Sequence, residues 1–242
     1  MSDTLEGKNP VLEALRAGRP ILRIYMSKTI LRDKATEEIK ELARNRNVPF
    51  DFVERHVLDR KSMTKASQGI VAEVGAQKYY DLDEILDIAI KNNAFLLILD
   101  EIEDPGNLGA ILRTADASGV HGVIIPKRRA VGLTAIVAKA SAGAIEYVPV
   151  AQVTNINQTI DTLQEAGIKV VGLDEKADKL FSQVDLKVPV AIVIGSEGKG
   201  IHHLTGKKCD EIVKIPMLGK IASLNASVSA AVMMYEVVRQ RA

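Results

Sequence analysis

The stretch IPMLGKIASLNASVSAAVMMYEVVRQR, residues 215–241, runs a short apolar strand into a Pro/Gly turn and then into a helix with no breaker until its last residues. Ser223, Leu224 and Asn225 stand where that helix opens. Free N–H groups at a helix start bind acceptors, and Ser or Asn can cap the helix while still facing a ligand. Two other stretches share the design of apolar strand, Gly-rich polar turn and helix. They are DPGNLGAILRTA at 104–115 and GSEGKG at 195–200.

Outward from these, AFLLILD (94–100), GVIIP (122–126), YVPV (147–150), IKVVGLD (168–174), VAIVIG (190–195) and EIVKIP (211–216) alternate with helical patterns. Near-continuous apolar strands between helices indicate an α/β fold with a parallel sheet covered on both faces. The first part reads differently. EGKNPVLEALRAG, with Pro10 just inside a helix and Gly18 ending it, is followed by ILRIYMS, a helix over 33–44, PFDFV, a helix near 55–63 and SQGIVAEV. This is a small α/β domain over 1–74. GAQKYYDLD has no apolar periodicity, so a linker is expected over 75–88 and a second domain over 89–242.

Composition excludes several classes. The chain has 242 residues, 47% of them hydrophobic, enough for one large core and a smaller one. Net charge is only +1, with 14 Lys/Arg against 11 Asp/Glu in residues 1–75, a weak bias of that part toward an anionic partner. The single Cys209 leaves no internal disulfide or cysteine zinc cluster, and His56, His121, His202 and His203 lack metal-ligand spacing, so no metal is expected. No apolar run approaches the roughly 18 residues of a membrane span, and no signal peptide is visible, which predicts a cytoplasmic protein without a membrane partner.

Open parallel sheets bind ligands at the carboxyl ends of their strands. Three such ends are conspicuous: Leu173–Asp174, Gly195–Gly200 and Ile215–Asn225. No GxGxxG follows a strand, and Gly200 to Gly206 is one residue too long for a phosphate loop, which disfavours a dinucleotide dehydrogenase or a P-loop NTPase. Leu173, Gly195, Ile215, Met217 and Leu224 sit at or beyond strand ends, where backbone groups can read an adenine and apolar side chains can sandwich it.

DPGNLGAILRTADASGV, IVIGSEGKGI and IPMLGKIASLNASVSAAV resemble, in order and spacing, the three signature motifs of the SpoU class of RNA ribose 2′-O-methyltransferases. GKNPVLEAL and SQGIVAEV resemble the N-terminal RNA-binding domain of the subgroup that modifies guanosine in 23S ribosomal RNA. The resemblance implies a deep trefoil knot at the C-terminus, S-adenosylmethionine bound in the knot loops, an obligate homodimer and an RNA substrate. Asn107, Arg113, Glu197, Ser223 and Asn225 match the family's motif positions. A guanidinium is hard to deprotonate, so Arg113 is assigned first to gripping RNA phosphate and orienting the ribose, and second to base function. Asn107 and Glu197 are expected to fix that arginine and the substrate, and Ser223 and Asn225 to shape the reaction centre. Plainer readings exist for each: Asn107 as a helix cap, Arg113 as a solvent-facing helix residue, Glu197 as a turn residue. The alternatives for the whole chain are a tRNA ribose methyltransferase and a non-catalytic RNA-binding or ribosome-assembly factor. The final helix is apolar on several sides, with Leu224, Val228, Ala231, Val232, Tyr235 and Val238 on one face and Ala230, Met233, Met234 and Val237 around the others. A monomer's surface helix would carry one stripe, so a partner chain is expected to cover the rest.

Overall fold

The structure, a computed structural model, describes residues 3–242 apart from 65, 197 and 199. In chain order the elements begin with β1 (Asp3–Glu6), α1 (Lys8–Ala17), β2 (Ile21–Ser27), α2 (Lys34–Asn45), β3 (Phe50–Val53), α3 (Arg55–Lys61) and β4 (Ile70–Val74). Next come α4 (Leu82–Ile90), β5 (Phe95–Leu99), α5 (Pro105–Ser118), β6 (Gly122–Pro126), α6 (Ala135–Ala140) and β7 (Val150–Val153). The last are α7 (Ile156–Glu165), β8 (Lys169–Leu173), β9 (Lys179–Leu180), β10 (Val190–Ile194), α8 (His203–Lys208), β11 (Glu211–Lys214) and α9 (Ala226–Arg241). They form two compact units, one of Met1–Lys78 with Gly132–Tyr147, the other of Tyr79–Val131 with Val148–Ala242.

The first unit holds a four-stranded mixed sheet in the order β1-β4-β2-β3. Its helices start and stop where the residues dictate. Gly18 takes the left-handed conformation after α1, and the Asp33 carboxylate accepts from Thr36 N at 2.9 Å to cap α2. Strand β1 escaped the sequence reading because its four residues show no apolar run, although Leu5 and Glu6 are buried. Burial alone would raise the Glu6 carboxyl. Donors from Thr64 and Ser62 side chains and the Met63 and Thr64 N–H groups outweigh it and hold the group below the usual carboxylate range.

The segment Gly132–Tyr147 joins this unit, although it lies in sequence between β6 and β7. Arg19 donates to Glu146 at 2.8 Å with both side chains nearly buried. Lys139 donates to Ala66 O at 2.8 Å, and Tyr147 Oη bonds Glu13 at 2.6 Å. These partners are far apart in sequence, which is why a single boundary near residue 75 does not describe the packing. The stretch read as linker differs too. Residues 82–90 form α4, opened by Asp81 N donating to the Glu84 carboxylate at 2.9 Å, and Ile85, Leu86 and Ala89 pack into a core with Leu96, Ile98 and Ile124.

The second unit is built on a seven-stranded parallel sheet, order β7-β6-β5-β10-β8-β11-β9. The central strands β5 and β10 are buried at every position, as a sheet covered on both faces requires. Among the described residues, no helix is long and apolar enough to cross a membrane. At the end of α9, Arg241 donates to the carbonyls of Leu186 (3.1 Å), Asn93 (2.7 Å), Ala94 (2.9 Å) and Val188 (2.6 Å). Its guanidinium also lies 5.5 Å from the Phe95 ring centroid. Arg241→Ala is expected to destabilise the second unit by about 2–4 kcal/mol, because several carbonyls lose a charged donor at once. Urea unfolding followed by circular dichroism checks this, and an unchanged midpoint would refute it.

Candidate functional site

The strand order sets β8 beside both β10 and β11, so the loops leaving their carboxyl ends converge. They enclose a cavity of about 260 Å³. Leu173, Gly195, Ile215, Met217 and Leu224, the five residues singled out as nucleotide neighbours, all line it, together with Ser223. Sequence reasoning stopped at the strand end Leu173–Asp174 and missed Glu175 and Lys176, which with Asp174 form a charged edge of the cavity directly after β8. It also missed Ser196 and Ser229. The signal was available, since polar residues immediately beyond a parallel strand point to the ligand edge.

Gly195 has a more specific reason to be glycine than access for a ligand. A Cβ there would lie 2.1 Å from the Gly200 carbonyl carbon, 2.2 Å from its oxygen and 2.3 Å from Ile201 N. The loop doubles back onto Gly195, closed by Gly200 N donating to Ser196 O at 3.0 Å, with Gly200 itself at φ 69°. The close approach is made by the chain's own backbone.

The second feature of the site joins two helix starts. Asp104 caps α5 by accepting from Asn107 N at 2.8 Å, so the Asn107 side chain is not needed as a cap. Asn225 caps α9, its Oδ1 accepting from Ser227 N at 2.9 Å and Ser227 Oγ at 2.6 Å. With the oxygen committed to donors, the amide nitrogen must face the other way, which settles its orientation. Asn225 Nδ2 donates to Asn107 Oδ1 at 3.0 Å. Residues 118 positions apart in sequence are thereby locked together. Because Ser223, Leu224 and Ala226 line the cavity, this amide pair stands at its margin.

The remaining candidates are placed as follows. Ser223 is exposed and lines the cavity. Arg113 lies on the exposed side of α5 and makes no hydrogen bond or ion pair with another described residue. The side-chain carbonyl of Asn107 accepts from Asn225 Nδ2. Glu197 lies outside the described residues. Burial, with the nearby Asp210 and Asp100, pushes the Cys209 thiol up to about 12, which disfavours the thiolate. Among the described residues, no group of three or more His, Cys, Asp or Glu is placed to hold a metal ion.

The final helix buries Ala230, Met233, Met234 and Val237 against its own unit. On the face named in the sequence reading, Val228 is 46% and Tyr235 51% exposed, and Leu224 is also exposed.

The chain is similar to known proteins over most of its length. Residues 94–235 match the family model described as SpoU rRNA Methylase family, and residues 4–80 match the model described as RNA 2′-O ribose methyltransferase substrate binding. A Bacillus subtilis (strain 168) protein assigned by name to the TrmH family of tRNA/rRNA methyltransferases is 49% identical over 241 residues, covering 99% of this chain and 96% of that one. The SpoU methyltransferase AviRb of Streptomyces viridochromogenes, solved in complex with AdoMet, superposes with a TM-score of 0.83 at 28% identity, over 99% of this chain and 90% of that one. A crystal structure of an RNA 2′-O ribose methyltransferase gives a TM-score of 0.81 at 27% identity, over 98% and 88%. The chain belongs to the SpoU rRNA methylase family.

Proposed function

We propose that this protein transfers a methyl group from S-adenosylmethionine to a ribose 2′-hydroxyl of RNA, with a guanosine of 23S ribosomal RNA as the target. The observation that carries the reading is the cavity between the β8, β10 and β11 loops, bordered by the Asn107–Asn225 amide pair. The lining fits the cofactor: apolar Leu173, Ile215, Met217 and Leu224 suit a purine, while Asp174 and Glu175 offer acceptors to hydroxyl or ammonium groups. When bound, the cofactor supplies an electrophilic sulfonium methyl. The chain's own residues align the nucleophile. In this reading Asn107 and Asn225 hold the two helix starts in register, Ser223 borders the reacting atoms, and Arg113, with no partner among the described residues, grips the RNA phosphate and orients the ribose. Glu197 keeps its proposed place at the same centre on its motif position alone. The first unit, which contains all but the last two of the residues matched to the substrate-binding model, supplies RNA affinity. The working form is a cytoplasmic homodimer whose partner covers the Val228–Tyr235 face of α9, and the polypeptide path at the C-terminus is a trefoil knot.

Calorimetry with S-adenosylmethionine is expected to show one site per chain, insensitive to chelator. Activity lost on metal removal and restored by a divalent ion would refute the scheme. Mapping ribose methylation in RNA from cells lacking the protein identifies the target, and a change confined to tRNA would replace ribosomal RNA in the proposal. Light scattering at micromolar concentration is expected to give twice the chain mass, and a monomer mass would remove the dimer.

A further inference from the structure

Beyond the cavity, the carboxyl edge of the second unit's sheet carries one run of three consecutive cations, Lys127, Arg128 and Arg129, immediately after β6. The run is held in a fixed shape. Lys127 N donates to Val153 O at 2.9 Å, Val131 N donates to Ile102 O at 3.0 Å, and Arg129 adopts the left-handed conformation at φ 56°. Arg129 Nη1 donates to Glu101 Oε1 at 3.0 Å, so these two charges cancel. Asp104, the carboxylate directly before α5, is occupied in capping Asn107 N. Glu103 is the one exposed acid of that loop without such a role. Lys127 and Arg128 are exposed and have no ion pair with any other described residue. A braced loop thus presents two exposed cations that form no ion pair among the described residues.

Their position follows from the strand order. The cavity loop leaves β10, Asn107 follows β5, and the cations follow β6, in adjacent places along one edge. Neighbouring strands are about 4.8 Å apart, which sets the end of β6 roughly 10 Å from that of β10. A polynucleotide with one ribose beside Asn107 would bring a flanking phosphate within reach of these long side chains. Arg forms bidentate bonds with phosphate and Lys acts as a point charge, and neither reads sequence in doing so.

We infer that Lys127 and Arg128 form a phosphate-gripping surface that lays the RNA backbone along the β5–β6 edge, with the Glu101–Arg129 pair as the brace that shapes it. The inference rests on the proposed RNA methyl transfer and names a substrate contact outside the signature motifs. Its occupant is single-stranded RNA, because the contact is to backbone charge in a chain whose reacting ribose must reach the cavity margin.

The test is fluorescence anisotropy with a labelled 24-nucleotide single-stranded RNA of mixed sequence over a salt series. Lys127→Ala/Arg128→Ala is compared with Lys91→Ala/Lys187→Ala, which removes the same charge from exposed positions just before β5 and β10, at the opposite edge of the sheet. Each phosphate contact contributes a slope of about 0.7 in log K against log salt, so the first variant is expected to lose about 1.4 from the slope and on the order of 10-fold in affinity at 0.1 M salt. The second is expected to match the wild type. Equal effects of the two variants, or no salt-dependent binding by the wild type, would overturn the inference. Calorimetry with S-adenosylmethionine on the same proteins keeps the outcomes apart. Failure of the wild type to bind the cofactor would sink the proposed reaction, whereas intact cofactor binding with an unchanged salt slope in Lys127→Ala/Arg128→Ala would sink only this surface.

Discussion

Gly195→Ala is expected to weaken S-adenosylmethionine binding by on the order of 10- to 100-fold while the protein still folds. The added Cβ would fall 2.1–2.3 Å from three backbone atoms of Gly200 and Ile201. A side chain could rotate away, but backbone cannot, so the 195–200 loop must shift. Overpacking of this kind costs about 1–3 kcal/mol, and 1.4 kcal/mol corresponds to a factor of ten in affinity. The cost falls on the cavity because that loop is part of its wall, whereas β10 before it is held by parallel ladders on both sides. Calorimetry gives the affinity and thermal unfolding the stability. Wild-type affinity in the variant would mean that the loop does not shape the cofactor site.

The amide pair and Arg113 give the second large effect. Asn225→Asp keeps an oxygen to cap α9, and Asp and Asn are nearly equivalent caps, so stability should change by less than about 0.5 kcal/mol. The same replacement turns the donor facing Asn107 Oδ1 into an acceptor, which breaks the tie between the two helix starts. Methyl transfer is then expected to fall by ~100-fold or more, since misplacing a reacting group by about 1 Å has that consequence. Arg113→Ala is expected to lower transfer comparably through a different route: cofactor affinity stays near wild type, and RNA positioning is lost. Arg113→Lys keeps the charge without the planar fork, so it should rescue RNA affinity more than rate. Single-turnover methylation with separate binding constants for RNA and cofactor distinguishes the two. Arg113→Ala protein that lost cofactor affinity but transferred methyl groups at the normal rate would move Arg113 off the RNA side.

The sequence alone determined those features whose cause is local. Apolar runs at 95–99, 122–126 and 190–194 had to be buried strands, because hydrophobic period, glycine placement and helix-start chemistry act over a few residues. The residues at the ends of β8, β10 and β11 were legible for that reason, and they converge on one cavity. What depended on long-range pairing was not legible. Asn107 could have been a cap until Asp104 was seen to fill that place and Asn225 Nδ2 to meet its side chain. Gly195 invited a ligand until Gly200 was found against it. The segment 132–147 reads as an ordinary part of the second unit's chain, and long-range contacts such as the buried Arg19–Glu146 pair, the Lys139 contacts and the Tyr147–Glu13 bond assign it to the first. Each of these turns on which distant groups satisfy a buried polar atom or fill the space beside a backbone, and that is settled only when strand order brings them together.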